Sequence, residues 1–578
     1  MFIRKFLKLL LLLVSICALS AQTVSQPNVI LLLADQLRAD RLHTYGNPRP
    51  SSPSIDDLAS KGVQFNRYYA VGSWSAPSQA TIATSFYPSR HQATLYWAGS
   101  GIPGLKPDAT TLAQMFSKGG YQTVAFVNNS VVGAYLIGSG FGLFDEQCGG
   151  CGTPQSKASP TNDRILSWVD AHRSKPFFMY IDYWEPHYPY MPPPEHDIFK
   201  NDSYPGETVA GYSSGQRDLF LWSNAGDHQA MARAVQLYDG YLHYIDSYIG
   251  QLVAGLKQRG VLDNTIIMIT SDHGELLYSH PDDYLTADHC SLYDANVHVP
   301  AILFGPGIPA NKKIHAIASH LDTAPTLLDL AGLPAKPDAQ GKSLVPLITG
   351  NATSVNDYVF GEQDISVQLR SVRNQRYKLI LNVETGKQQL FDTRSDPMEQ
   401  VDVLNVFPDV VTTLRDVLDR WQTANAPDPA SQDQLWSQVA SKTPVTVTDN
   451  VTTLANLHLT GPGWQIFVDP ASYSGRSYWA EKMGLDQNMR TATWRTLNAL
   501  RGHYRISMWN GGIPDGVQAT DVPVKVRTRA GTTTLQLDQT NRGNWKVLGE
   551  FDDPISVMIT NEASGRIVAG AVKFERLN

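Results

Sequence analysis

Two apolar runs far apart in the chain end in acidic residues: Val29 to Ala34 leads into Asp35, and Ile266 to Thr270 leads through Ser271 to Asp272 and His273. Two carboxylates and one imidazole make an oxygen-rich donor set with a single nitrogen, which suits a hard or borderline divalent cation. Two further runs stop in polar residues, Thr123 to Val127 at Asn128 and Asn129, and Phe177 to Ile181 through Trp184, Glu185 and Pro186 to His187. Ser75 opens a Ser-Ala-Pro-Ser-Gln stretch ahead of a predicted helix, followed by Pro88, Arg90 and His91. A hydroxyl at a helix start lies near backbone N–H groups that favour an anion. A coordinated cation lowers the pKa of such a hydroxyl and makes it a nucleophile.

Short, nearly continuous apolar runs read as strands buried on both faces, as in a parallel sheet, whose ligands bind beyond the carboxyl ends. With all four runs in one sheet, Asp35, Asp272, His273 and His187 converge on one edge. Strands alternate with helical stretches from residue 28 to 335, the pattern of a doubly wound α/β domain. One helix is marked by Leu237, Tyr241, Tyr244, Ile245, Tyr248, Ile249 and Leu252, with Gly260 at its end. Past Gly332 and Pro334, the alternating runs Arg376 to Leu381 and Gln389 to Phe391 predict a small antiparallel sheet, then a helix near Val410 to Ala424. Ala426 to Ala430 reads as a linker. Beyond it, Val522, Val524 and Val526, then Leu535 and Leu537, alternate in the manner of a β-sandwich. The expected division is 1–21, 22–345, 346–425, a linker at 426–454, and 455–578.

A chain of 578 residues needs more than one core, and 42% hydrophobic with 17% charged residues describes an ordinary folded protein. A formal charge of −7 without a basic stripe argues against a nucleic-acid partner. Arg4, Lys5 and Lys8, the apolar core Leu9 to Leu19, and Ser20-Ala21 read as a signal peptide, and a span that short does not cross a bilayer. Its removal takes the formal charge to about −10 and leaves a periplasmic or secreted protein without a membrane span. Ile16 is larger than the residue that usually precedes a lipidated cysteine, which argues against anchoring at Cys17. Cys148 and Cys151 either close a small structural bridge or stay unbridged, with Cys290 apart.

In order along the chain, Asn28 to Asp40 with Tyr45-Gly46, the Ser75 turn, Ser271-Asp272-His273-Gly274-Glu275, Leu292-Tyr293-Asp294 before Val299-Pro300, and His320 to Thr326 resemble the sulfatase branch of the alkaline phosphatase superfamily. Arg370 to Arg373, Leu390-Phe391-Asp392 and Asp396-Pro397 extend the resemblance over residues 27–425. It implies an alkaline-phosphatase-like doubly wound sheet with a small α+β C-terminal subdomain. It also implies Asp35, Gln36, Ser75, Asp272 and His273 as ligands of one divalent cation, Ca2+ in a sulfatase and Mn2+ or Zn2+ in a phosphohydrolase. Ser75 falls where the family places its nucleophile, a cysteine or serine oxidised to formylglycine. By the same resemblance His187 contacts the transferred group, His289 stands near the leaving oxygen as a general acid, and Gln79 and Asn129 face the substrate. Arg90, His91, His320 and Asp322 read as structural.

Three positions depart from the family pattern. Gln36 replaces a common aspartate, Asn128-Asn129 replace a lysine-containing segment, and Gln79 replaces the arginine of the C/S-x-P-S-R motif that helps mark the residue for oxidation. A formylglycine hydrate expels sulfate by collapsing to the aldehyde. A plain serine lacks that exit and suits phosphoryl transfer, with a phosphoserine attacked in line by water. The expectation is a secreted metal-dependent sulfatase acting on esters of a carbohydrate or small molecule. The alternatives are a phosphodiester or phosphonate ester hydrolase using unmodified Ser75, and a non-catalytic glycan-binding protein. From Gly463-Trp464 onward, including Ala492-Thr493-Trp494, Trp545 to Gly549 and Ile567 to Val572, the chain resembles a golvesin C-terminal or xanthan-lyase-like β-sandwich, a module suspected of binding polysaccharide.

Overall fold

The computed structural model describes residues 26–93, 105, 108–129, 132–146, 158–200, 228–277, 279–280, 291–364, 368–383, 385–426, 445–447, 457–460, 465–468, 476–480, 491–495, 502–510, 518–540, 544–569 and 571–577. The signal-peptide reading with Cys17, the cysteines Cys148, Cys151 and Cys290, His289, and most of the linker lie outside them. Among the described residues no helix is long and apolar enough to cross a membrane.

Eight strands form the central sheet: β1 (Asn28–Ala34), β2 (Val63–Phe65), β3 (Gln122–Val127), β4 (Leu143–Asp145), β5 (Phe177–Tyr183), β6 (Thr265–Thr270), β7 (Ala301–Phe304) and β8 (Lys312–Ile314). Their order is β8-β2-β7-β6-β1-β5-β3-β4. Every residue of β1, β5 and β6 is buried, because alternate side chains serve two cores. Val29, Leu31 and Leu33 join one cluster with Ala80 and Ile82 of α1 (Ser75–Thr84). Ile30 and Leu32 join the other with Ile165 of α2 (Ala158–His172) and Leu242, Ile245 and Ile249 of α3 (His228–Gln258). Each such aliphatic side chain contributes about 1.5–3 kcal/mol over an exposed one.

The four runs singled out in the sequence are adjacent, parallel strands. Leu33 pairs with both Asp182 and Thr270, and Asp182 pairs with Val127, so their carboxyl ends finish at one level. The sheet is not parallel throughout: β7 runs antiparallel to β6 and β2. Gly274 N–H donates to Asn296 O at 2.7 Å beside the strand ends, so the chain enters β7 from the edge at which β6 finishes and runs antiparallel to it.

The subdomain is the antiparallel meander β9 (Val359–Gln363), β10 (Leu369–Arg373), β11 (Tyr377–Asn382) and β12 (Gln388–Asp392), covered by α4 (Pro408–Ala424). Leu414, Leu418 and Trp421 of the helix share one apolar cluster with Val372, Leu379 and Leu390, and with Val71, Tyr87 and Leu321 of the larger unit. The C-terminal region is all-β. Val522, Val524, Val526, Val557 and Ile559 of one sheet and Tyr504, Ile506, Met508, Val572 and Phe574 of another form a single core.

Candidate active site

The strand ends are laced together before any functional atom is placed. Ser271 Oγ accepts the Leu37 N–H at 2.9 Å and lies 2.7 Å from Ala34 O, joining the ends of β1 and β6. The buried Arg38 guanidinium donates to Glu275 O at 2.8 Å and Leu276 O at 2.9 Å, tying the two following loops. Gly274 is required by close approach, since a Cβ there would stand 2.2 Å from Ala295 O.

At this edge Asp35, Asp272 and His273, all fully buried, bring one ligand atom each to within 4.8 Å of one another. His273 Nδ1 lies 2.8 Å from Gly274 O, which can only accept, so the proton is assigned to Nδ1 and the Nε2 lone pair is left inward. That Nε2 is 3.8 Å from Asp35 Oδ1, 3.7 Å from Asp272 Oδ2 and 3.3 Å from Ser75 Oγ. Asn129 Nδ2 donates to Asp35 Oδ2 at 2.6 Å and to Ser75 Oγ at 3.1 Å. Burial raises the Asp272 carboxyl, but hydrogen bonds from Ser75 and from the His273 and Gln36 N–H groups oppose it, and the group lies below its ordinary range.

Two carboxylates packed around an imidazole lone pair repel one another in a low-dielectric interior, where uncompensated charge costs several kcal/mol. A divalent cation removes that conflict, and carboxylate oxygens with imidazole nitrogen and a hydroxyl are donors it accepts. The residues fit the group. Gln36 is seated beside them chiefly through its backbone: its φ is 61°, its N–H points to Asp272 Oδ1 at 3.3 Å, and its O accepts Tyr238 OH at 2.7 Å. Its side-chain Oε1 accepts the Tyr188 N–H at 3.1 Å.

Gln79 is fully buried, and its amide is engaged by protein at both ends. Oε1 accepts Tyr180 OH at 2.6 Å, while Nε2 faces Asp182 Oδ2 at 3.2 Å and Asp272 Oδ2 at 3.4 Å. Burial, then the charge of Asp272, pushes the Asp182 carboxyl well above its ordinary range. Reading β5 as ending at Ile181 passed over Asp182 and Tyr180. The signal was an aspartate inside an otherwise apolar run, since such a group is seldom fully buried without a partner. His187 follows β5 half-buried, its ring tilted 36° against Trp184 with centroids 3.8 Å apart and its Nδ1 against Tyr188 O. Asn128 turns away to Thr161.

Several residues hold the frame. His91 Nε2 lies 3.2 Å from Pro77 O, and its Nδ1 accepts the Ala93 N–H at 3.0 Å, fixing the turn that carries Ser75. His320 Nε2 is 2.9 Å from Ser271 O, and Asp322 accepts backbone N–H groups of Ser319 and Lys342. Arg90 reaches the Asp338 carbonyl at 3.1 Å.

Among known proteins, the sulfatase family model matches residues 27–333, a model described as N-sulphoglucosamine sulphohydrolase, C-terminal, matches 283–424, and a Golvesin C-terminal domain model matches 446–576. The Delta 4,5-hexuronate-2-O-sulfatase of Bacteroides thetaiotaomicron is 26% identical over 467 residues, which cover 72% of this chain and 92% of the relative. A solved 2-O GAG sulfatase shares the fold with a TM-score of 0.58 at 22% identity, covering 70% of this chain and 94% of that one. The phosphonate monoester hydrolase of Agrobacterium radiobacter shares it with a TM-score of 0.57 at 21% identity, covering 69% and 96%.

Proposed function

Since the chain belongs to the sulfatase family, we propose that it is a secreted, metal-dependent hydrolase that cleaves sulfate esters of a carbohydrate, with residue 75 as nucleophile. One observation carries this reading: Ser75 Oγ stands within hydrogen-bond distance of His273 and Asn129 at the rim of the buried Asp35, Asp272 and His273 cluster. Ser75 is 7% exposed while Asp35, Asp272 and His273 are at 0%, so residue 75 is the most accessible of the four.

Asp35, Asp272, His273 and Ser75, with the Gln36 carbonyl, would hold the cation, Ca2+ on this reading. Once bound it supplies a lowered pKa at residue 75 and neutralises charge on the transferred group. Asn129 donates to Ser75 Oγ and so orients the lone pair that attacks. The His273 Nδ1–H···O=C bond keeps Nε2 deprotonated and aimed inward. His187 is assigned to the transferred group, and His289 to protonation of the leaving oxygen. Oxidation of Ser75 to formylglycine would give the sulfate intermediate its exit. The hexuronate sulfatase relative supports a sulfated sugar as substrate, and the golvesin-type domain is proposed to contact the polysaccharide.

Gln79 in place of an arginine favours a second reading, a phosphodiester or phosphonate ester hydrolase using unmodified Ser75 with Mn2+ or Zn2+. Paired aryl sulfate and aryl phosphodiester assays, with and without chelator, together with mass spectrometry of the Ser75 peptide from the native host, separate the two. Sulfate turnover with loss of two hydrogens at Ser75 is expected. Phosphodiester turnover with intact serine supports the second reading, and metal-replete inactivity toward both and toward sulfated oligosaccharides supports a glycan-binding protein.

A further inference from the structure

Gln79 lies one helical turn after Ser75 on α1, yet its amide does not point at the ester-facing side of the nucleophile. Its two Nε2 hydrogens are directed at Asp182 Oδ2 and Asp272 Oδ2, and its Oε1 takes the Tyr180 hydroxyl proton. A primary amide has two donors, and both are committed to protein. The orientation is set from outside, because the ionised Asp272 carboxylate can only accept and so takes the NH2 end, which leaves the carbonyl end to the Tyr180 hydroxyl. Tyr180 and Asp182 are two apart on β5, so they present side chains on the same face and grip the amide from one rigid strand. Asp272 is held at both oxygens. The N–H groups of His273 and Gln36 reach Oδ1 at 2.8 and 3.3 Å, and Gln79 reaches Oδ2, the oxygen 3.7 Å from His273 Nε2 and so turned toward the ligand cluster.

We propose that Tyr180 and Asp182 clamp the Gln79 amide as a neutral brace on the ligand oxygen of Asp272, so that Gln79 is a positioning residue for the cation rather than a substrate contact. A neutral brace orients Asp272 without drawing on its charge. Partners that orient a ligating carboxylate typically change metal affinity by about 10- to 100-fold when lost. Asp182 is hydrogen-bonded toward Asp272 by way of Gln79, beside a direct charge effect, so removing both should cost less than the sum of the two single deletions.

The inference rests on the cluster holding a divalent cation, and the test separates the two. Metal-free full-length protein is titrated with Ca2+ and with Mn2+ by calorimetry, and kcat and KM are measured at saturating metal. Asp182→Ala and Gln79→Ala should each raise the cation Kd by about tenfold or more, with KM for the ester unchanged and kcat largely regained at high metal. The double variant should raise Kd by less than the product of the two single effects, and Asp182→Asn, which keeps an oxygen acceptor, should bind cation within about twofold of wild type. Uptake by wild type with an unchanged Kd in Asp182→Ala, or a KM effect of Gln79→Ala without a Kd effect, overturns the brace alone. Wild type that takes up neither cation overturns the site reading and the brace with it.

Discussion

Two buried charge clusters lie in this chain, and they are balanced in opposite ways. Where the subdomain meets the larger unit, Asp294 accepts from Arg373 and Lys378 at 2.7 Å each, and Lys378 also meets Glu399 at 2.8 Å. Arg373 further stacks its guanidinium 3.5 Å from the Tyr69 ring centroid. Burial opposes charge on Asp294, yet Arg373 and Lys378 hold its carboxyl far below the ordinary carboxylate range. Burial, then Asp294, pushes the Glu399 carboxyl up to about 7. At the strand ends, by contrast, Asp35 and Asp272 are surrounded by amides, a hydroxyl and an imidazole lone pair. The first cluster opposes its carboxylates with Lys and Arg side chains and reads as a joint; the second gathers two carboxylates with amides, a hydroxyl and an imidazole and, on the proposed reading, takes a cation.

The sharpest way to break this contrast is to delete one carboxylate from each cluster. Asp272→Ala should abolish cation uptake and lower turnover by on the order of 10³-fold or more. It should cost the metal-free protein about 1–3 kcal/mol, because the buried N–H groups of His273 and Gln36 lose their acceptor. Normal turnover in this variant would count directly against the mechanism. Asp294→Ala should do the reverse, costing about 3–5 kcal/mol in urea unfolding because Arg373 loses its buried ion-pair partner and Lys378 is left with Glu399 alone. The variant that still folds should keep its cation Kd. Equal loss of cation binding in both variants would erase the distinction between joint and site.

A smaller effect tests whether the frame around Ser75 is as dry as its geometry requires. Burial pulls the His91 imidazole down to about 3 from its ordinary 6.5. The unfolded chain takes up a proton below pH 6.5 while the folded protein resists it. Stability from His91 is therefore fully present above pH 6.5 and is lost as pH falls toward 3. The urea midpoint should fall over this window in wild type and fall less steeply in His91→Gln. Identical slopes would show that His91 is not held neutral.

How far the sequence could be read follows from the same contrast. The strand-end cluster was legible because each ligand directly follows an apolar run, so local pattern and sheet topology point to one place. The Asp294 joint was not, since Asp294 finds its partners 79 and 84 residues further on and no local spacing predicts that pairing. Asp182 and Tyr180 were hidden inside a strand whose apolar character drew attention past them. The reversed direction of β7 was also invisible, because a four-residue apolar run carries no sign of its polarity. Gln79 was found by resemblance as substrate-facing, while its hydrogen bonds turn it toward Asp272.

The central claim, that Asp35, Ser75, Asp272 and His273 gather to hold one cation against the nucleophile, is tested most directly by anomalous diffraction from crystals grown with Mn2+. The account predicts one dominant peak bounded by the Asp35 and Asp272 carboxylates and His273 Nε2, beside the residue 75 side chain, and its loss in Asp272→Ala. A well-ordered crystal with no peak there, or with its strongest protein-bound peak elsewhere, would contradict it.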